Sequence, residues 1–192
     1  MSMEREATCC FTGHRPTKLP WGHDERDPRC LALKRSILRE AEGLYRRGYT
    51  HFLCGMALGC DLYFAEALLE LKEVYPAITL EAAIPFPGQA DRWSEDARRR
   101  WRTLVDRCDL ETVVQQSYDR GCMLRRDRYM VERSAAVLAV FDDTPGGTKY
   151  TLEHAAKKGL DILLLDLNRP EAPAIRMERE KCENFSFFPV DK

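Results

Sequence analysis

Three glycine-bearing turns hold the residues of this sequence that could do chemistry. Thr12-Gly13-His14-Arg15-Pro16 sets a sharp backbone turn beside two side chains able to donate to an anion. Gly55-Met56-Ala57-Leu58-Gly59-Cys60-Asp61 brings a carboxylate to a helix start, where the dipole favours it and it can cap free amides. Asp142-Asp143-Thr144-Pro145-Gly146-Gly147-Thr148 joins an apolar run to an amphipathic one, with Thr151 and Glu153 in the first turns that follow. A strand, a glycine turn and a helix N-terminus in succession aim unpaired N–H groups at one place, where phosphate is stabilised. Any one such turn fits a plain β-to-α connection equally well, and Gly59 fits close helix–strand packing as well as ligand contact. Three turns of one kind argue for a shared anion site.

The elements that must position these turns alternate along the chain. Apolar strand-like runs occur at Ala7–Phe11, Thr50–Cys54, Ile78–Ile84, Leu110–Val114, Ala135–Phe141 and Asp161–Leu167. Helical spacing of apolar residues lies between them, at Arg29–Arg47, from Leu62 to Leu71, at Asp91–Cys108, at Cys122–Ser134 and from Leu152 to Leu160. Trp93, Ala97, Trp101 and Leu104 form a core stripe, Arg98, Arg99 and Arg102 a solvated face, and Arg125, Arg126 and Arg128 a basic cluster. Loop residue Trp21 packs on the domain surface or serves as a lid aromatic over the site. The alternation predicts an α/β fold, a three-layer, doubly wound and mostly parallel sheet of order 3-2-1-4-5-6. Ligands bind such sheets where the strand order reverses, here between strands one and four, flanked by Gly13-His14-Arg15 and the segment Gln115 to Arg126. Residues 1–167 make one domain, and 168–192 a polar tail that docks at most a short strand or helix.

Composition sets bounds. The chain has 192 residues, 44% hydrophobic and 32% charged, enough for one sizeable core. Thirty basic against thirty-one acidic residues give a net charge of -1, which counts against a nucleic-acid partner. The sequence has no apolar run near the roughly 20 residues that span a bilayer and no signal-like start, so a cytoplasmic protein with no membrane partner is expected. Eight cysteines without C-x-x-C, and scattered His14, His23, His51 and His154, predict reduced thiols, no metal and no cofactor.

Five motifs in order carry a resemblance: Thr12-Gly13-His14-Arg15-Pro16, Gly55 to Asp61, Pro85-Phe86-Pro87-Gly88-Gln89, Arg126-Asp127-Arg128-Tyr129-Met130, and Gly146-Gly147-Thr148 through Thr151. Together they resemble the YpsA family of bacterial proteins in the SLOG superfamily, which implies a Rossmann-like fold related to DprA and the LOG enzymes. Met123-Leu124-Arg125-Arg126 is similar to the M-H-x-R of LOG enzymes, and Pro145 through Glu153 to their P-G-G-x-G-T-x-E. The resemblance thereby puts Arg126 and Glu153 at catalytic positions if the protein is a phosphoribohydrolase. Here the turn is one residue longer and lacks the third glycine, which rotates Glu153 by about 100° on a helix continuing from it. Asp127 stands where the YpsA pattern has asparagine.

The function expected is binding of a nucleotide or phosphorylated ribose derivative, as a ligand-sensing module. Gly13, Gly55, Gly146 and Gly147 would supply backbone donors, Arg15, Arg126 and Thr148 would meet phosphate oxygens, and Asp61 or Glu153 ribose hydroxyls, with His14, Gly59 and Thr151 completing the site. The alternatives are a nucleoside monophosphate N-glycosidase and single-stranded DNA binding in the DprA manner. The superfamily resemblance implies a homodimer.

Overall fold

The computed structural model describes residues 5–177. Seven strands form one sheet: β1 Thr8–Thr12, β2 His51–Cys54, β3 Thr79–Ile84, β4 Leu110–Val113, β5 Ala136–Phe141, β6 Asp161–Asp166 and β7 Ile175–Met177. Five helices connect them: α1 Pro28–Arg46, α2 Cys60–Val74, α3 Glu95–Val105, α4 Cys122–Glu132 and α5 Gly147–Lys157. Helices α1, α2 and α3 share a core with one face of the sheet, where Phe11 stacks on Phe64 at 4.3 Å. The other face packs Leu53, Val137, Ala139 and Phe141 against Met130 and Val131 of α4 and Leu152 and Ala155 of α5. The three-layer, doubly wound architecture is the one the sequence predicts.

The strand order differs from expectation. It runs β4-β3-β2-β1-β5-β6-β7, every neighbouring pair parallel except β6 with β7. Strand β4 pairs with β3, Glu81 opposite Leu110 and Ile84 opposite Val113, and not with β1. The reason is burial. Leu110 and Glu111 are exposed, as suits an edge, whereas all six residues of β5 are buried and need a neighbour on either side. The reversal therefore falls between β1 and β5. Their carboxyl ends, Thr12 and Phe141, open a crevice between the first and third glycine turns, and α4 returns to β5 from the far edge.

Local signals set the element ends. Asp27 caps α1 by accepting from the Arg29 amide at 2.8 Å, with Pro28 in the first turn. Ser94 caps α3, accepting from Ala97 N at 3.3 Å, so this helix starts later than the predicted Asp91. Trp93 then lies outside the helix but still meets Trp101 edge-on at 6.3 Å. Arg98, Arg99 and Arg102 are exposed, as expected, with Arg99 paired to Asp96 and Arg102 over the Trp101 ring at 5.1 Å. Trp21 is buried, and its loop is fastened by Arg100, whose guanidinium reaches Glu25 at 2.5 Å and Glu66 at 2.7 Å.

The seven described cysteines are unbridged, and burial pushes the Cys10 thiol up to about 12. Among the described residues, no helix is long and apolar enough to cross a membrane. Of the tail, β7 docks antiparallel on β6. Cys182 lies outside the described residues.

Candidate functional site

The first two turns are pressed together. Gly59, at a φ of +92°, carries the chain past the His14 carbonyl, which lies 2.7 Å from where a Cβ would stand. That carbonyl accepts from the Cys60 amide at 3.2 Å. The β1 turn is also bound to the β5 turn. His14 Nε2 lies 2.7 Å from Asp142 Oδ1, an oxygen that accepts from the Thr144 amide at 3.1 Å and its hydroxyl at 2.7 Å. Lys18 Nζ donates to the Pro145 carbonyl. Burial lowers the His14 pKa and outweighs the Asp142 charge, so the ring is neutral at neutral pH. Burial acts to raise the Asp142 pKa, but the Thr144 and His14 hydrogen bonds hold it below the usual carboxylate range.

Helix α4 supplies the opposite wall. Arg126, expected in a basic cluster with Arg125 and Arg128 and on phosphate oxygens, is 5% exposed. Its guanidinium donates to the Gly55 carbonyl and to Asp127 Oδ1, the latter at 2.8 Å, and stands 3.9 Å from Asp61 Oδ2. Asp61 Oδ2 accepts from the Ala57 amide at 3.1 Å. Gln89 Nε2 reaches the Gly55 and Met56 carbonyls at 2.9 and 3.1 Å, tying the third strand's loop to the same point. Burial raises the Asp61 pKa to about 6 against the lowering charge of Arg126.

Helix α5 begins at Gly147, and its first amides have no carbonyl to bond within the helix. Thr148 is 6% exposed and its hydroxyl has no hydrogen-bond partner. Thr151 Oγ1 donates back to the Gly147 carbonyl at 2.9 Å and is spent within the helix.

The three walls enclose a cleft of about 300 Å³. Gly13, His14, Arg15, Asp61, Arg126, Gly146, Gly147 and Thr148 of the expected set line it. Gly55, Gly59, Thr151 and Glu153 do not. Gly55 presents its carbonyl as an acceptor and makes room for the Arg126 guanidinium. Glu153 lies on a separate surface with Arg128, Tyr150, His154 and Lys157. Five residues past Thr148, it sits about 140° around the helix at about 100° per residue, so both cannot face the same cleft. The segment Gln115 to Gly121, expected to flank the crevice, follows the edge strand β4 and does not line the cleft, which receives α4 from Met123 onward.

Sequence reasoning missed Thr12, Lys18 and Asp127 as lining residues and Asp142 as the His14 partner. Lys18 had a signal, a second cation shortly after the Gly13 turn, and Asp142 had its place at the end of a buried strand. Met123, Leu124 and Met130 give the α4 wall an apolar stretch. Among the described residues, no group of three or more His, Cys, Asp or Glu side chains is placed to hold a metal ion.

A family model described as the YspA SLOG family, YpsA, matches residues 9–167. The chain belongs to this family. The YpsA-family protein is 30% identical over 152 residues to a UPF0398 protein of Halalkalibacterium halodurans, covering 77% of this chain and 79% of the relative. It is 28% identical over 163 residues to a UPF0398 protein of Brevibacillus brevis, covering 82% and 87%. Among solved structures it is similar to DNA processing protein A from Helicobacter pylori, described by its single-stranded DNA binding mode, at a TM-score of 0.57 and 15% identity. That likeness covers 83% of this chain but only 65% of the DNA processing protein, and shows a shared fold.

Proposed function

We propose that this YpsA-family protein binds a nucleotide or a phosphorylated ribose derivative in the cleft between β1 and β5, as a ligand-sensing module. The observation that carries this reading is Thr148: a residue 6% exposed on the first turn of α5, whose unpartnered hydroxyl opens into a cleft that Arg15 and Lys18 also line. Free helix amides, a hydroxyl donor and two cations converge there, which is the chemistry of a phosphate seat. A cleft of about 300 Å³ is at the small end of ligand pockets and suits a mononucleotide or smaller. The N-glycosidase alternative requires Glu153 in the cleft, and Glu153 is elsewhere.

The test is isothermal titration with nucleoside monophosphates and inorganic phosphate, alongside Gly147→Asp, which sets a carboxylate at the α5 start. Saturable binding by wild type and its loss in the variant is the expected result. No heat with any phosphate compound at millimolar concentration would sink the reading. Single-stranded DNA is a second reading, supported by the fold shared with DNA processing protein A. It requires an oligonucleotide to bind with a steep salt dependence, and a mononucleotide to compete poorly.

A further inference from the structure

We propose that the floor of the cleft reads a vicinal diol, so that the ligand is a ribose phosphate or ribonucleotide and not its 2-deoxy counterpart. This rests on the anion-binding reading above and names the sugar.

Asp61 and Asp127 stand on either side of the Arg126 guanidinium, are 6% and 7% exposed, and both line the cleft. Each uses one oxygen. Asp61 Oδ2 accepts from Ala57 and faces Arg126; Asp127 Oδ1 accepts from Arg126 Nε. Asp61 Oδ1 and Asp127 Oδ2 have no hydrogen-bond partner. Both oxygens are reached by solvent within the cleft, as acceptors that a ligand's donors can meet. The Thr12 hydroxyl, 7% exposed in the same lining, also has no partner.

An ionised carboxylate only accepts, so the groups that complete these oxygens are O–H or N–H donors carried by a ligand. A second anion has no place here. Arg126 already bonds Gly55 and Asp127 and faces Asp61, so its work is to hold two carboxylates in place, and it is a positioning residue. Asp127 Oδ2 lies 4.0 Å from the Cβ position of Gly147, which brings this acceptor up to the start of α5. The cleft therefore takes an anion at one end and hydroxyl donors immediately beside it, the layout of a sugar phosphate. Two acceptors flanking one guanidinium suit neighbouring hydroxyls.

The experiment titrates the full chain with ribose 5-phosphate, 2-deoxyribose 5-phosphate and inorganic phosphate by calorimetry. Ribose 5-phosphate is expected to bind at least about tenfold tighter than the deoxy sugar, as loss of a hydrogen bond to a charged acceptor implies. Asp61→Asn and, separately, Asp127→Asn should bring that ratio down towards one, while Glu153→Gln, outside the cleft, keeps it. Equal binding of the two sugars overturns the diol and leaves the anion seat standing. So does a ratio that persists in both asparagine variants. Failure of all three compounds to bind removes the anion seat as well.

Discussion

The guanidinium of Arg126 lies against the Gly55 carbonyl, in the volume where a side chain at position 55 would begin. The pair joins the second glycine turn to α4. Gly55→Ala should evict the guanidinium and cost about 3 kcal/mol or more of stability. Arg126→Ala should cost about 3–5 kcal/mol by leaving Asp61 and Asp127 without their cation. Urea unfolding measures both, and a change under about 1 kcal/mol in either would show that the contact is dispensable.

Thr148 gives the opposite signature. Its hydroxyl bonds nothing, so Thr148→Val removes no internal hydrogen bond and should leave stability within about 0.5 kcal/mol. Phosphate-compound affinity should fall about tenfold, the worth of one hydrogen bond to a charged group. Titration calorimetry paired with thermal unfolding separates the two readouts.

Asp61 predicts a pH slope. Its pKa in the folded chain, about 6, lies above the ordinary carboxylate value of 3.8, so the folded state holds its proton longer than the unfolded state. Its contribution is present in full below the unfolded value and is lost as pH rises through about 6. The two-unit gap corresponds to about 3 kcal/mol. Asp61→Asn should flatten the stability profile between these values, most visibly as a gain at pH 8 over pH 4. Parallel profiles for wild type and variant would contradict it.

Glu153→Gln should change neither ligand affinity nor stability beyond about 0.5 kcal/mol, because the side chain lies outside the cleft. A large loss of binding would return it to the site.

The elements were legible because burial on both faces writes a continuous apolar run, as in Ala136–Phe141, and one-sided burial writes the helical stripe of α1. The sheet order was available in part. Glu111-Thr112 makes β4 polar enough for an edge, while β5 is apolar throughout. The burial of Arg126 was not legible, since its partner Gly55 is 71 residues away and an arginine among arginines reads as surface. Glu153, which the motif resemblance puts at a catalytic position only for a hydrolase, lies outside the cleft. The periodicity of Leu152 and Ala155, both buried, already turned it outward. Lys18 and Pro145 meet only because β1 and β5 are neighbours, which local pattern does not encode.

That adjacency has a bearing on folding. His14 and Asp142, 128 residues apart, close the crevice only when β1 and β5 have joined one sheet. No fragment carries both sides of it, and long-range closures of this kind are slow to form. Recognition is thus a property of the completed molecule, and its loss in urea should coincide with collapse of the tertiary signal instead of preceding it.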